Sequence, residues 1–295
     1  MDKLEGFRVT FLAGILKRIE YLIILTLCSA YGSLFAVTEA EYAAAINVAG
    51  RQRMLTQKMA KESLFVSLGV NKEQNKTNRE KTIKLFESSL GSLIAGSGSD
   101  SIPKPPNNSI TQKLNVVKNL WPEYKKAIQS GSAAQIAKLS VPILKKMNSA
   151  VKSYETAFFK AGFKGSGKTI NIAGRQRMLT QKMAKEALLI SSNTEVIKSQ
   201  EMLKNSINLF DISLKGLING NAEMRIEKVN NPEIQSQLLV VQKKWEEYKK
   251  LFNADGKGLS QEALINLEKQ SPEILFEMNK AVGMYEDDVK KNKKT

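Results

Sequence analysis

"INVAGRQRMLTQKMAKE" (residues 46–62) and "INIAGRQRMLTQKMAKE" (170–186) differ at a single position, and they lie 124 residues apart. The same offset lays "KLFESSLGSLIAG" (84–96) on "NLFDISLKGLING" (208–220), and "WPEYKKA" (121–127) on "WEEYKKL" (245–251). Towards the end it drifts to 131, pairing "ILKKMNSAVKSYE" (143–155) with "ILFEMNKAVGMYE" (274–286). Self-similarity at a long fixed period marks a duplicated structural unit. We expect a first unit over 38–160, a linker over 161–169 and a second unit over 170–292.

Each unit reads as four helices. "TEAE" from Thr38 is a capping box, with a side-chain acceptor followed three residues later by Glu. It opens a helix that runs through the repeated motif to about Leu68. A second helix over 73–95 carries Ile83, Leu85, Phe86, Leu90, Leu93 and Ile94, broadly at helical spacing. "GSGSDSIPKPPNN" breaks it, because Gly and Pro punctuate helices. A third helix over 109–129 carries Leu114, Val117, Leu120, Trp121 and Tyr124. Trp121 and Tyr124, like Trp245 and Tyr248, read most simply as core. A fourth region begins near Ser132, with a fresh helix start expected at "SVPIL" and "SPEIL", where Pro suits a first turn. Strand signals are essentially absent. The expected fold is all-α: two tandem antiparallel four-helix bundles.

Composition narrows the chemistry. The 295 residues contain no histidine, which removes His-based acid–base catalysis, Ser-His-Asp and Cys-His nucleophiles, and ordinary zinc or haem sites. No catalytic constellation is expected, and no cofactor. The net charge of +16 suits an acidic partner such as a small anion, a nucleic acid or a membrane surface. Aromatic residues do not interleave with the lysines, so nucleic acid is not expected. The uncharged run 21–37, "YLIILTLCSAYGSLFAV", follows Lys17 and Arg18 and contains the single cysteine, Cys28. It reads as a signal peptide or a short membrane anchor. A periplasmic or otherwise exported protein is therefore expected.

"GFKGSGKT" (162–169) satisfies the phosphate-loop pattern. A phosphate loop must follow a strand and open a helix. Here the preceding "SYETAFFKA" reads as helix, and the first unit has "TEAEYAAA" at the equivalent place. The pattern reads as a linker, with Ser166 or Thr169 capping the next helix.

On a wheel of about 100° per residue, Ile46, Ala49, Gly50, Arg53, Gln57 and Ala60 share one face. Ile170, Ala173, Gly174, Arg177, Gln181 and Ala184 do so in the second unit. Val48, Leu55 and Met59 form a second face suited to the bundle's own core. The small residues admit another helix closely, which puts Arg53 and Arg177 in a seam. A buried arginine without a partner is costly. Glu62, the first acidic residue after the motif, lies about 180° from Arg53 on a helix of this pitch. An oxyanion would supply the missing charge, and the planar guanidinium fork suits a planar one.

The two motif copies resemble the P-box helix of PilJ-type sensor domains. These domains form the N-terminal part of type IV pilus methyl-accepting transducers, and are related to the periplasmic domain of nitrate/nitrite sensor kinases. The family pattern I-N-x-A-G-x-x-R-M is matched in full by both copies. The resemblance implies a helical bundle whose P-box helices pair and hold nitrate or nitrite through the arginine before the Met. Here those residues are Arg53 and Arg177, with Gly50, Gly174, Asn47, Asn171, Gln57 and Gln181 around them. It further implies a membrane sensor or transducer as partner. The duplication adds a choice: the two units could pair within one chain as a pseudo-dimer, or two chains could form a homodimer. No HAMP, kinase or methyl-accepting segment accompanies the units in this sequence. A stand-alone oxyanion-binding protein is expected, or a helical scaffold for a membrane signalling or pilus partner.

Overall fold

The computed structural model describes residues 37–96, 102–163, 166–252 and 257–291. The apolar run 21–37 lies, apart from Val37, outside them. No helix among the described residues is long and apolar enough to cross a membrane.

Helices α1 (Glu39–Ser67), α2 (Lys72–Ala95), α3 (Asn108–Ser130) and α4 (Ala133–Lys160) form the first bundle. Helices α5 (Ser166–Ser191), α6 (Val196–Asn219), α7 (Pro232–Lys249) and α8 (Gln261–Lys291) form the second. The fold is all-α, with an isolated bridge between Asn221 and Ile226. Side chains place several helix starts. Asn107 accepts from the Ile110 amide, Ser132 from that of Gln135 and Asn231 from that of Glu233. Each satisfies one of the amides that a helix start leaves without a helical partner. Gly131 ends α3 at φ 72°, a left-handed conformation that costs glycine nothing.

The duplication persists at atomic detail. Phe86 stacks on Trp121 with ring centroids 4.4 Å apart, and Phe210 on Trp245 at 4.3 Å. The Trp121 indole donates to Glu87 at 2.9 Å, and that of Trp245 to Asp211 at 2.6 Å. The buried Tyr124 and Tyr248 hydroxyls donate to the carbonyls of Thr56 and Thr180, at 2.6 and 3.0 Å. These aromatics tie the third helix of each bundle to its second and first. They are core residues, as the sequence implies.

Three expectations need correction. Neither proline of the last helices starts a new helix: α4 runs unbroken through Pro142 and α8 through Pro272. A helix-interior proline costs about 3 kcal/mol, but apolar residues hold the helix on both sides of it. Ile136 and Ala137 are buried before Pro142, with Ile143, Leu144 and Met147 after it. Leu85 is 42% exposed, because α2 turns its Ile83, Phe86, Leu90 and Leu93 stripe inward instead. Thr169 is not a cap, since α5 already begins at Ser166. Lys168 and Thr169 are helical, and helix α4 precedes them rather than a strand. The phosphate-loop pattern therefore lacks the context that gives it function.

α1 and α5 lie against each other at the centre of the molecule. Each packs on its own bundle with one face and on the other bundle with the opposite face. Most of α1 from Tyr42 to Phe65 is buried as a result, and its apolar residues are not confined to one side. Ser271 of α8 touches both Gln181 and Lys61, which puts those positions of α5 and α1 at one level. Gly50 and Gly174 meet at a second level, N-terminal to the first on both helices, so the two run parallel.

Candidate functional site

The helices meet at their small residues. Ala49 and Ala173 are fully buried, and Gly50 and Gly174 face the opposing helix. A Cβ on Gly50 would stand 3.3 Å from Arg53 Nη2 and 3.6 Å from Arg177 Nη2. A Cβ on Gly174 would stand 3.3 Å from Arg177 Nη2 and 3.7 Å from Arg53 Nη2. Both guanidinium groups therefore converge on the crossing point, over backbone bared by the glycines. Arg53 and Arg177 are each 3% exposed.

Their partners come from across the seam and from the last helix of their own bundle. Arg53 Nη2 donates to the Asn171 carbonyl at 3.2 Å, and Nη1 to Asn148 Oδ1 at 3.2 Å. Arg177 Nη2 donates to the Asn47 carbonyl at 3.3 Å and to Asn47 Oδ1 at 2.7 Å, while Nη1 donates to Asn279 Oδ1 at 3.3 Å. Asn47 in turn donates to Glu286, and Asn171 to Glu155. Among the described residues no carboxylate pairs directly with either arginine, and both Nε atoms are buried without a hydrogen-bond partner.

Two buried cations so close together oppose one another. Burial pushes the Arg53 guanidinium down to about 9, with Arg175 and Arg177 adding like charge and Glu155 opposing. Burial likewise pushes Arg177 down to about 9, with Arg51 adding to the effect and Glu286 opposing. At neutral pH both remain charged. The seam holds an excess of positive charge that neutral asparagine oxygens solvate but do not neutralise.

The structure thus brings Gly50, Gly174, Asn47, Asn171, Arg53 and Arg177 together. Gln57 and Gln181 lie a turn further along. Gln57 donates to Thr56 Oγ1 at 3.1 Å, and Gln181 to Thr180 Oγ1 at 3.1 Å and to Ser271 Oγ at 3.3 Å. They belong to a neighbouring polar layer. There Lys61 donates to Ser271 at 2.9 Å and Lys185 to Ser140 at 3.1 Å, each reaching the opposite bundle. Sequence reasoning missed Asn148, Asn279, Glu155 and Glu286. Their signal was present in the repeated M-N-x-A-V-x-x-Y-E of the last helices.

Tandem helical bundles meet along one pair of like helices, and comparison with known proteins gives the family. The model of the PilJ family, described as type IV pili methyl-accepting chemotaxis transducer N-term, matches residues 37–142 and again 161–270. The chain belongs to that family. It is 35% identical over 119 residues to the methyl-accepting chemotaxis protein McpN of Pseudomonas aeruginosa, a match covering 40% of this chain and 22% of that protein. The chain therefore spans about a fifth of that relative's length. The solved ligand-binding domain of the P. aeruginosa nitrate receptor McpN matches with 35% identity and a TM-score of 0.38, over 41% of this chain and 95% of that one.

Proposed function

We propose that the chain is an extracytoplasmic sensory protein that binds a small planar oxyanion of the nitrate or nitrite type, between α1 and α5. Arg53 and Arg177 hold the anion, and the Asn47 and Asn171 oxygens orient the two guanidinium groups. One observation carries the reading: two buried arginines converge on paired glycines, and among the described residues no carboxylate pairs directly with either, Glu155 and Glu286 acting only at a distance. A single negative charge between them would replace like-charge repulsion with two charge-assisted contacts. The McpN relative is described as a nitrate receptor, which supports nitrate as the first ligand to try. Location outside the cytoplasm rests on the apolar run 21–37, and a membrane transducer as partner rests on the family. Catalysis forms no part of the reading.

A second reading is a helical scaffold without ligand. It draws on the asparagine oxygens, which already satisfy four of the guanidinium N–H groups' bonds across and beside the seam. Thermal unfolding of the full chain with nitrate, nitrite, sulfate or phosphate separates the two, because a ligand of the folded state alone must raise Tm. Nitrate or nitrite is expected to raise it, and Arg53→Ala or Arg177→Ala to abolish the rise. No shift with any of the four anions would leave the scaffold reading, and an undiminished shift in both variants would place the anion away from the two arginines.

A further inference from the structure

The two bundles are near copies, so a place where equivalent side chains differ is informative. Arg51 and Arg175 occupy the same position of the motif. Arg51 donates from Nη2 to Ser89 Oγ at 3.1 Å, fastening it to α2 of its own bundle. The equivalent of Ser89 in the second bundle is Ser213, whose hydroxyl is fully buried and has no partner. Arg175 does not take it up. Its side chain lies half-buried along a groove between α4, α5 and α6.

This groove has a volume of about 590 Å³ and reaches Arg53, Asn148 and Asn171 at the seam. Lys152, Lys168 and Lys182 line it beside Arg175, against one acidic residue, Glu155, which is engaged by Asn171. Lys182 is itself paired with Glu186. Arg175 and Arg53 thus line one groove, Arg175 the more exposed of the two and close enough to Arg53 to oppose its charge. A cleft lined by one sign of charge concentrates the opposite ion and speeds its arrival.

We propose that Arg175 is the capture residue for the oxyanion: it receives the anion in the groove and passes it to Arg53, while its twin Arg51 is fastened to Ser89 and serves the fold. The inference rests on the oxyanion-binding reading above and adds a direction of approach to it. Arg175 acts through its charge on the approaching anion, and its loss weakens affinity only as far as it slows association.

Stopped-flow association of nitrate with the full chain, followed by intrinsic fluorescence against a chloride-matched blank, tests this. Arg175→Gln is expected to slow association roughly tenfold at low ionic strength, with the gap closing as salt rises and the dissociation rate unchanged. Arg175→Lys keeps the charge and should keep most of the rate, while Arg51→Gln should change it far less than Arg175→Gln. Wild-type association in Arg175→Gln, or equal slowing in Arg51→Gln, overturns the capture role even where nitrate binds. If nitrate, nitrite, sulfate and phosphate all fail to bind the wild-type chain, the capture role falls together with the oxyanion reading.

Discussion

Arg177 reaches across the seam to Asn47 Oδ1 at 2.7 Å, whereas its twin Arg53 meets only the main-chain carbonyl of Asn171, at 3.2 Å. The Asn171 side-chain oxygen is left buried and without a partner. The two halves of the seam are thus alike in composition and unequal in bonding. Asn47→Ala removes a bond that Arg177 makes, and Asn171→Ala removes none from Arg53. In anion titrations by calorimetry, Asn47→Ala should weaken binding more than Asn171→Ala. Equal losses would mean that the asymmetry is unimportant to the ligand.

Glycine at the crossing leaves room for both guanidinium groups. Gly50→Ala places a methyl 3.3 Å from Arg53 Nη2, tighter than comfortable contact, on the spot where the anion would sit. Alanine also favours a helix interior by about 1 kcal/mol over glycine. The expected outcome is a variant whose Tm without anion is maintained or raised, but whose anion-dependent shift is lost. Scanning calorimetry with and without nitrate reads both quantities.

Lys61 and Lys185 give the seam a pH dependence. Burial pushes both ammonium groups down to about 8. Glu62 opposes this at Lys61, where Lys58 adds to it and Glu268 also opposes; at Lys185, Glu186 opposes it and Lys182 and Lys198 add to it. A cation whose folded value lies below its unfolded one destabilises the fold while charged in both states. That penalty is fully present below about pH 8, and is relieved as pH climbs towards the unfolded value near 10.5. Tm should therefore carry a component that rises between about pH 8 and 10. Lys61→Met with Lys185→Met should remove it. An identical pH profile in the double variant would rule this origin out.

α1 and α5 are each buried by both bundles, so neither bundle can unfold without stripping a face from the other. Calorimetry of the full chain should show one cooperative transition. Trp245→Ala, a large truncation in the second bundle alone, should cost about 3–5 kcal/mol and lower that single transition as a whole. Two resolved transitions, with only one of them displaced, would contradict the shared core.

The repeat made the helical elements readable, because each boundary is supported by two independent copies. The arginine helix was legible too, since small residues at helical spacing with an arginine among them mark a face that another helix approaches closely. Asn148 and Asn279 were harder. They act from α4 and α8, and a wheel drawn on one helix says nothing about what its neighbour presents. The repeat at an offset of 131 marks the two as equivalents but does not say what they touch. Gln57 and Gln181 share the arginine face on paper, but side chains on a helix lean towards its N-terminus and sample different levels. A turn of offset was enough to commit them to Thr56, Thr180 and Ser271 instead. Pro142 and Pro272 misled for a related reason: local propensity marks a boundary, and burial on both sides overrides it.

The pairing of α1 with α5 occurs within one polypeptide joined through the short connection after α4. Dilution cannot part these two helices, as it parts the subunits of a dimer. Whatever settles between Arg53 and Arg177 meets a seam whose abundance tracks the chain itself in simple proportion. The response would then be set by the concentration of the ligand alone, and would be the same in a cell holding a few copies as in one holding thousands.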